Sequence, residues 1–186
     1  MKRIFFLCAA LVFAVNVVAQ EAEVVDRRAN RVLKAGYRGA LDVEVGYLMN
    51  SLLFTGATVG VSTTHGYQLS PHVFVGAGVG VHLFDHIFTL DDEGDWDVTD
   101  ESTRTFFPVF GDLKVSLLKK WVTPQLNLKV GYTFGDYEGA YVNPSAGVRF
   151  GFGERFGLRT GLGYVYQDFK NVSSANSVQF FVGIDF

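Results

Sequence analysis

Between Arg38 and Phe186 large apolar residues alternate with small or polar ones. A period of two is the pattern of extended strands whose two faces meet different surroundings. Eight such segments follow one another, at 39–49, 53–67, 73–84, 105–118, 122–134, 141–152, 156–167 and 177–186. In the first, Leu41, Val43, Val45 and Tyr47 alternate with Asp42, Glu44 and Gly46. In the last, Val178, Phe180, Val182, Ile184 and Phe186 alternate with Gln179, Gly183 and Asp185. The reading that follows is an all-β chain with eight antiparallel strands running up and down.

The composition of the two faces decides which one lies inside. The apolar rows contain no charged residue. The strand charges fall on the other face, with Asp42, Glu44, Asp112 and Asp185 set against Lys114, Lys129, Arg149 and Arg159. That face is also crowded with glycine. Small residues and cancelling charges fit the narrow interior of an eight-stranded cylinder, whereas a Lys or Arg aimed at the bilayer midplane costs about 2–4 kcal/mol. A water-facing glycine face would weaken the strands and pack against nothing. The expected architecture is a transmembrane β-barrel over residues 38–186, with its apolar face in lipid and an occluded polar lumen.

Met1-Lys2-Arg3, the apolar run from Ile4 to Val15 and Val17-Val18-Ala19 have the charge, core and small-residue order of a cleavable export signal over residues 1–19. The apolar run is too short for a membrane-spanning helix. Cys8 is the only cysteine and leaves with this segment, so thiol catalysis, disulfides and thiolate metal sites are excluded. Loss of Lys2 and Arg3 leaves 14 of the 16 basic residues against 19 acidic ones, a formal charge of −5. A net acidic chain of this kind is not built for nucleic acid. Residues 20–37 are polar and read as a periplasmic extension, loosely ordered.

Aromatic residues cluster at the strand ends, as expected where rings meet lipid headgroups. Phe107, Tyr132, Phe134, Tyr164 and Tyr166 lie at one end, and Trp121, Phe152, Phe156 and Phe186 at the other. Pro71, Pro108, Pro124 and Pro144 are expected in turns or toward strand ends. The connections at 69–72, 119–121 and 153–155 are tight. Those at 85–104 and 168–176 are long, 135–140 is intermediate, and the 49–52 link is short for its side. Tight turns face the periplasm in such barrels.

These features resemble the small eight-stranded outer-membrane β-barrel family, of the OmpX and OmpA-barrel type, over roughly residues 37–186. The carriers are Gly36-Tyr37-Arg38-Gly39, Phe74-Val75-Gly76-Ala77-Gly78-Val79-Gly80-Val81, Pro108-Val109-Phe110-Gly111-Asp112-Leu113-Lys114-Val115, Val130-Gly131-Tyr132-Thr133-Phe134-Gly135 and the C-terminal strand. The resemblance implies an outer-membrane location, surrounded by membrane lipid and lipopolysaccharide, and a monomer. It also implies that Val178, Phe180, Val182, Ile184 and Phe186 are the signal read by the barrel-assembly machinery.

No catalytic constellation stands out. His82 faces inward on the third strand, but no serine is placed beside it and no His-x-Ser motif occurs, so a general base would have nothing to activate. His65 and His72 read as interfacial residues near the tight-turn end. The acidic stretch Asp91-Asp92-Glu93-Gly94-Asp95-Trp96-Asp97, with Asp100 and Glu101, does not have the oxygen spacing of an EF-hand calcium loop and reads as a solvated loop. No metal or cofactor is expected. The leading function is a structural or surface-contact barrel, and the lumenal charges read as a fixed salt-bridge network. The alternatives are a narrow pore for small solutes or a lipid A-modifying barrel enzyme.

Overall fold

The computed structural model describes residues 32–49, 56–84, 87–90, 96–100, 104–136, 138–153, 156–169 and 174–186. The expected signal segment, most of the expected extension and Asp91 to Asp95 lie outside these. Ten strands form: β1 (Gly36–Leu48), β2 (Ala57–Gln68), β3 (Val73–Phe84), β4 (Ile87–Leu90), β5 (Trp96–Asp100), β6 (Arg104–Ser116), β7 (Val122–Gly135), β8 (Gly139–Gly151), β9 (Gly157–Phe169) and β10 (Ala175–Asp185). Eight of them close into one antiparallel barrel in the order β1-β10-β9-β8-β7-β6-β3-β2. The strands β4 and β5 pair only with each other. Among the described residues no helix is long and apolar enough to cross a membrane.

Closure follows from the pairing of β1 with β10, which runs in unbroken register from Ala40↔Asp185 to Leu48↔Ser177. A row of paired residues leaves β1 at Arg38 and passes Gly66, Gly76, Asp112, Lys129 and Asn143. In register through Val165 and Ser177, it returns to β1 at Leu48, a stagger of ten residues. Such a stagger over eight strands tilts them by roughly 35–45° and leaves an interior that side chains can fill.

The strand faces separate as the alternation predicts. Asp42, Glu44, Asp112, Lys114, Lys129, Arg149, Arg159 and Asp185 are all buried. Val43, Val61, Val81, Val109, Leu128, Leu162, Phe180 and Val182 are between 39% and 56% exposed and point outward. A soluble monomer rarely shows a contiguous apolar patch above a few hundred Å². Here the apolar surface runs around the whole cylinder, which is the form of a bilayer-spanning barrel.

Several boundaries differ from the sequence reading. β1 begins at Gly36, inside the expected extension, and β2 is described from Ala57 onward. Residues 50–55, which hold most of the expected 49–52 link and the expected start of the second strand, lie outside the described residues. β8 begins at Gly139, so the link after β7 is only 136–138. Gly135 makes that link possible with φ 122°, where a side chain would be strained, while the Asp136 carboxylate accepts the Thr105 amide at 2.8 Å. The stretch read as a solvated loop at 85–104 contains the β4–β5 hairpin, with a register shift between Ile87 and Thr89.

Two prolines also depart from expectation. Pro108 lies within β6 and Pro144 within β8, not at strand ends. A proline has no amide to donate, and the ladder is interrupted beside each. The β3–β6 pairing skips from Val79↔Val109 to His82↔Phe106. The β8–β9 pairing skips from Val142↔Tyr166 to Ser145↔Gly163.

Candidate functional site: the lumenal charge network

The inward rows of the strands deliver the charged residues to one place. At the end carrying the tight turns, Arg149 on β8 and Arg159 on β9 are direct cross-strand partners. Two like charges facing each other across a ladder repel. Asp185 on β10 resolves this by standing between them, with Arg149 Nε at 2.7 Å from Oδ2 and Arg159 Nε at 2.7 Å from Oδ1. Arg159 also donates from Nη2 to Asp42 Oδ1 at 2.6 Å.

Farther along the axis, Lys129 on β7 donates to Glu44 Oε1 at 2.6 Å, to Ser62 Oγ at 3.0 Å and to Asp42 Oδ2 at 3.4 Å. β7 lies four places from β1 in either direction around the eight-stranded ring, so this side chain crosses the full lumen. Ser62 in turn donates to Glu44 at 3.0 Å. The other Glu44 oxygen lies 3.0 Å from His82 Nε2, off the direction of a hydrogen bond. Asp42 thus links the arginine pair to the lysine, and seven of the residues named form one connected cluster.

Asp112 and Lys114, neighbours on β6, stand apart from it as a pair at 3.2 Å. Lys114 sits over the Phe74 ring at 4.7 Å, and Lys129 over the Phe110 ring at 5.0 Å. The structure therefore unites six of the eight predicted lumenal charges and leaves Asp112 and Lys114 to each other.

The interior glycines have a spatial reason. Gly60 is paired with His82, and a Cβ there would run into the imidazole ring. A Cβ at Gly157 would meet the Arg149 guanidinium, and one at Gly183 the Asp42 carboxylate. Each glycine makes room for a long or charged side chain on a neighbouring strand.

Toward the loop end the charges give way to Phe110, Tyr141 and Val165, all buried. Phe84 and Phe106 close the next level edge to face, with ring centroids 4.5 Å apart. The interior retains a cavity bordered by Asp42, Glu44, Lys129, Asn143 and Gln179, with room for about one water molecule. The sequence reading put Ser62 and Gln179 on the inward face without assigning them to the network, and it missed Tyr141 and Asn143. Their inward position follows from the same alternation, since Tyr141 and Asn143 share parity with Arg149.

Of the aromatic residues expected in the two girdles, Phe107, Phe134, Tyr164, Tyr166, Phe152 and Phe156 are exposed. Phe107 pairs across the sheet with Phe134, and Tyr132 packs beside Phe134 at 5.1 Å, near the loop end. Phe152 and Phe156 are each 62% exposed beside the turn that follows β8. His65 also faces outward, near the tight-turn end, and its neighbour in the fold is the terminal Phe186. Among the described residues no group of three or more His, Cys, Asp or Glu side chains is placed to hold a metal ion.

No protein-family profile matches the chain, and no curated protein is similar to it in sequence. Its structure is similar to Neisserial surface protein A (NspA), with a TM-score of 0.59 and 12% identity over 82% of this chain and 97% of that one. The N-terminal β-barrel domain of Pseudomonas aeruginosa OprF superposes with a TM-score of 0.46 at 14% identity, over 82% of this chain and 100% of that one. Yersinia pestis Ail does so at 0.42 and 13%, over 80% and 99%. The agreement with NspA is one of fold. The chain is a transmembrane β-barrel with the architecture of the small eight-stranded proteins of outer membranes.

Proposed function

We propose that this protein is a non-enzymatic barrel of the outer membrane that works as a structural or surface-contact element and does not conduct solutes. The observation that carries this reading is the filled lumen. A cluster running from Arg149 through Asp185, Arg159, Asp42 and Lys129 to Glu44 spans the interior, and a cavity beside it has room for about one water. A pore needs a continuous wet path, and buried ion pairs that lose a partner are strongly destabilising, so the network resists opening.

The orientation proposed puts the tight turns at 69–72, 117–121 and 152–156 in the periplasm and the longer connections outside. The β4–β5 hairpin then stands beyond the rim on the outer side, in a segment whose sequence from Asp85 to Thr103 holds eight acidic residues and no Lys or Arg. That segment is the natural place for surface contact. The surroundings of the apolar belt are membrane lipid and lipopolysaccharide, the barrel-assembly machinery inserts the chain, and the finished protein is a monomer. Planar-bilayer recording tests the reading directly. Purified, folded protein is expected to give no discrete conductance steps, and stable steps from wild-type protein would establish the narrow pore instead.

A further inference from the structure

The chain's last residue is held by its first hairpin. Gly39 and Phe186 exchange both backbone hydrogen bonds, at 2.7 and 2.9 Å, and so close the last rung of the β1–β10 seam. The Phe186 ring lies where a Gly39 side chain would be, and a Cβ on Gly39 would run into it. His65 on β2 meets that ring edge-on, with centroids 6.2 Å apart and planes at 73°. Tyr37 stacks on His65 at 6.1 Å. The Tyr37 hydroxyl lies 2.7 Å from His65 Nδ1, and Thr63 Oγ1 lies 3.2 Å from Nε2 while donating to the Ala40 carbonyl at 3.1 Å. The imidazole is thereby fixed at both nitrogens, and β10, β1 and β2 are joined on the outer surface by one aromatic group.

We infer that Gly39, His65 and Tyr37 form a slot for the Phe186 ring and that the filled slot latches the barrel seam. An aromatic ring laid over a strand glycine shields backbone that has no side chain of its own, a known way of pinning register. The terminal aromatic then has a role in the finished barrel, separate from any recognition during assembly. Phe186 can enter the slot only where β10 has paired with β1, so the seated ring reports a closed seam. The inference rests on the reading of this face as the lipid-facing exterior.

The test uses refolding from urea into phosphatidylcholine vesicles with no assembly machinery, following heat-modifiable migration and the unfolding rate. Phe186→Ala and Gly39→Ala are each expected to speed unfolding about fivefold, in line with the loss of one aromatic contact. The double variant is expected to unfold no faster than Phe186→Ala alone, because the three atoms nearest a methyl at residue 39 all belong to that ring. Additive effects, or single variants that unfold at the wild-type rate, would overturn the latch. If Phe186→Ala does not close at all, Phe186→Leu replaces it in the cycle, keeping apolar bulk without the flat ring. Val178→Ala, on the same outward row but remote from the slot, serves as the control and is expected to show no coupling to Gly39→Ala. A protein that stays soluble and folded without lipid or detergent would instead refute the underlying exterior assignment.

Discussion

Replacing Asp185 by Asn removes the charge that separates two buried guanidinium groups. In the wild type Asp185 accepts from Arg149 and lies against Arg159, both at 2.7 Å. Arg159 would keep Asp42 at 2.6 Å. Arg149 is fully buried, and its two terminal nitrogens make no hydrogen bond, so Asp185 is its one anionic contact among the described residues. Breaking a buried pair by removing one partner costs roughly 3–5 kcal/mol. Arg149 is itself shut off from water, so the orphaned cation gains no solvation and the full range of roughly 3–5 kcal/mol applies. Equilibrium urea unfolding in vesicles, followed by tryptophan fluorescence and gel migration, measures the loss. The decisive comparison adds Arg149→Met. Removing the orphaned cation is expected to restore most of the stability, so that the double variant is more stable than Asp185→Asn alone. A double variant less stable than either single one would refute the idea that unpaired buried charge, and not lost packing, sets the cost.

Lys129→Met strands Glu44, while Asp42 keeps Arg159, and is expected to destabilise by about 3–5 kcal/mol in the same unfolding assay. Val43→Arg places a cation in the middle of the outward row, paired with Val61 and Val182. It is expected to cost about 2–4 kcal/mol in vesicles, and a neutral effect would argue against lipid contact there. Gly60→Ala pushes on the His82 ring and is expected to cost about 1–3 kcal/mol by overpacking, while His82→Ala in the same background recovers part of the loss.

The parity of each strand was legible in the sequence because lipid and lumen impose opposite demands on successive residues. Val43 and Asp42 could not exchange faces without exposing a charge to acyl chains. The loop boundaries were less legible. Gly36 and Tyr37 already belong to β1 although they precede the clear alternation, which alone does not say where pairing begins or ends. Pro108 and Pro144 were assigned to strand ends on the expectation of an unbroken ladder, whereas the barrel accommodates them by skipping rungs. Local pattern also could not show which charges meet. Lys129 finds Glu44 across 85 positions and Arg159 finds Asp42 across 117. Those partners are set by the ten-residue stagger and by closure, which are properties of the whole cylinder. The inward aromatics Phe106, Phe110 and Tyr141 were overlooked because large rings were expected outside, although their parity with Asp112 and Arg149 places them inside.

A thin tube embedded in a bilayer is squeezed unevenly, and its softest response is to flatten into an oval. The side chain of Lys129 works against this as a tie-rod, fastened at one wall by its own strand and at the far wall by two carboxylates and a hydroxyl. Flattening along that line compresses the rod, and flattening across it pulls the rod off its anchors. A circular cross-section is therefore the shape this interior enforces, whatever the lateral pressure of the membrane around it.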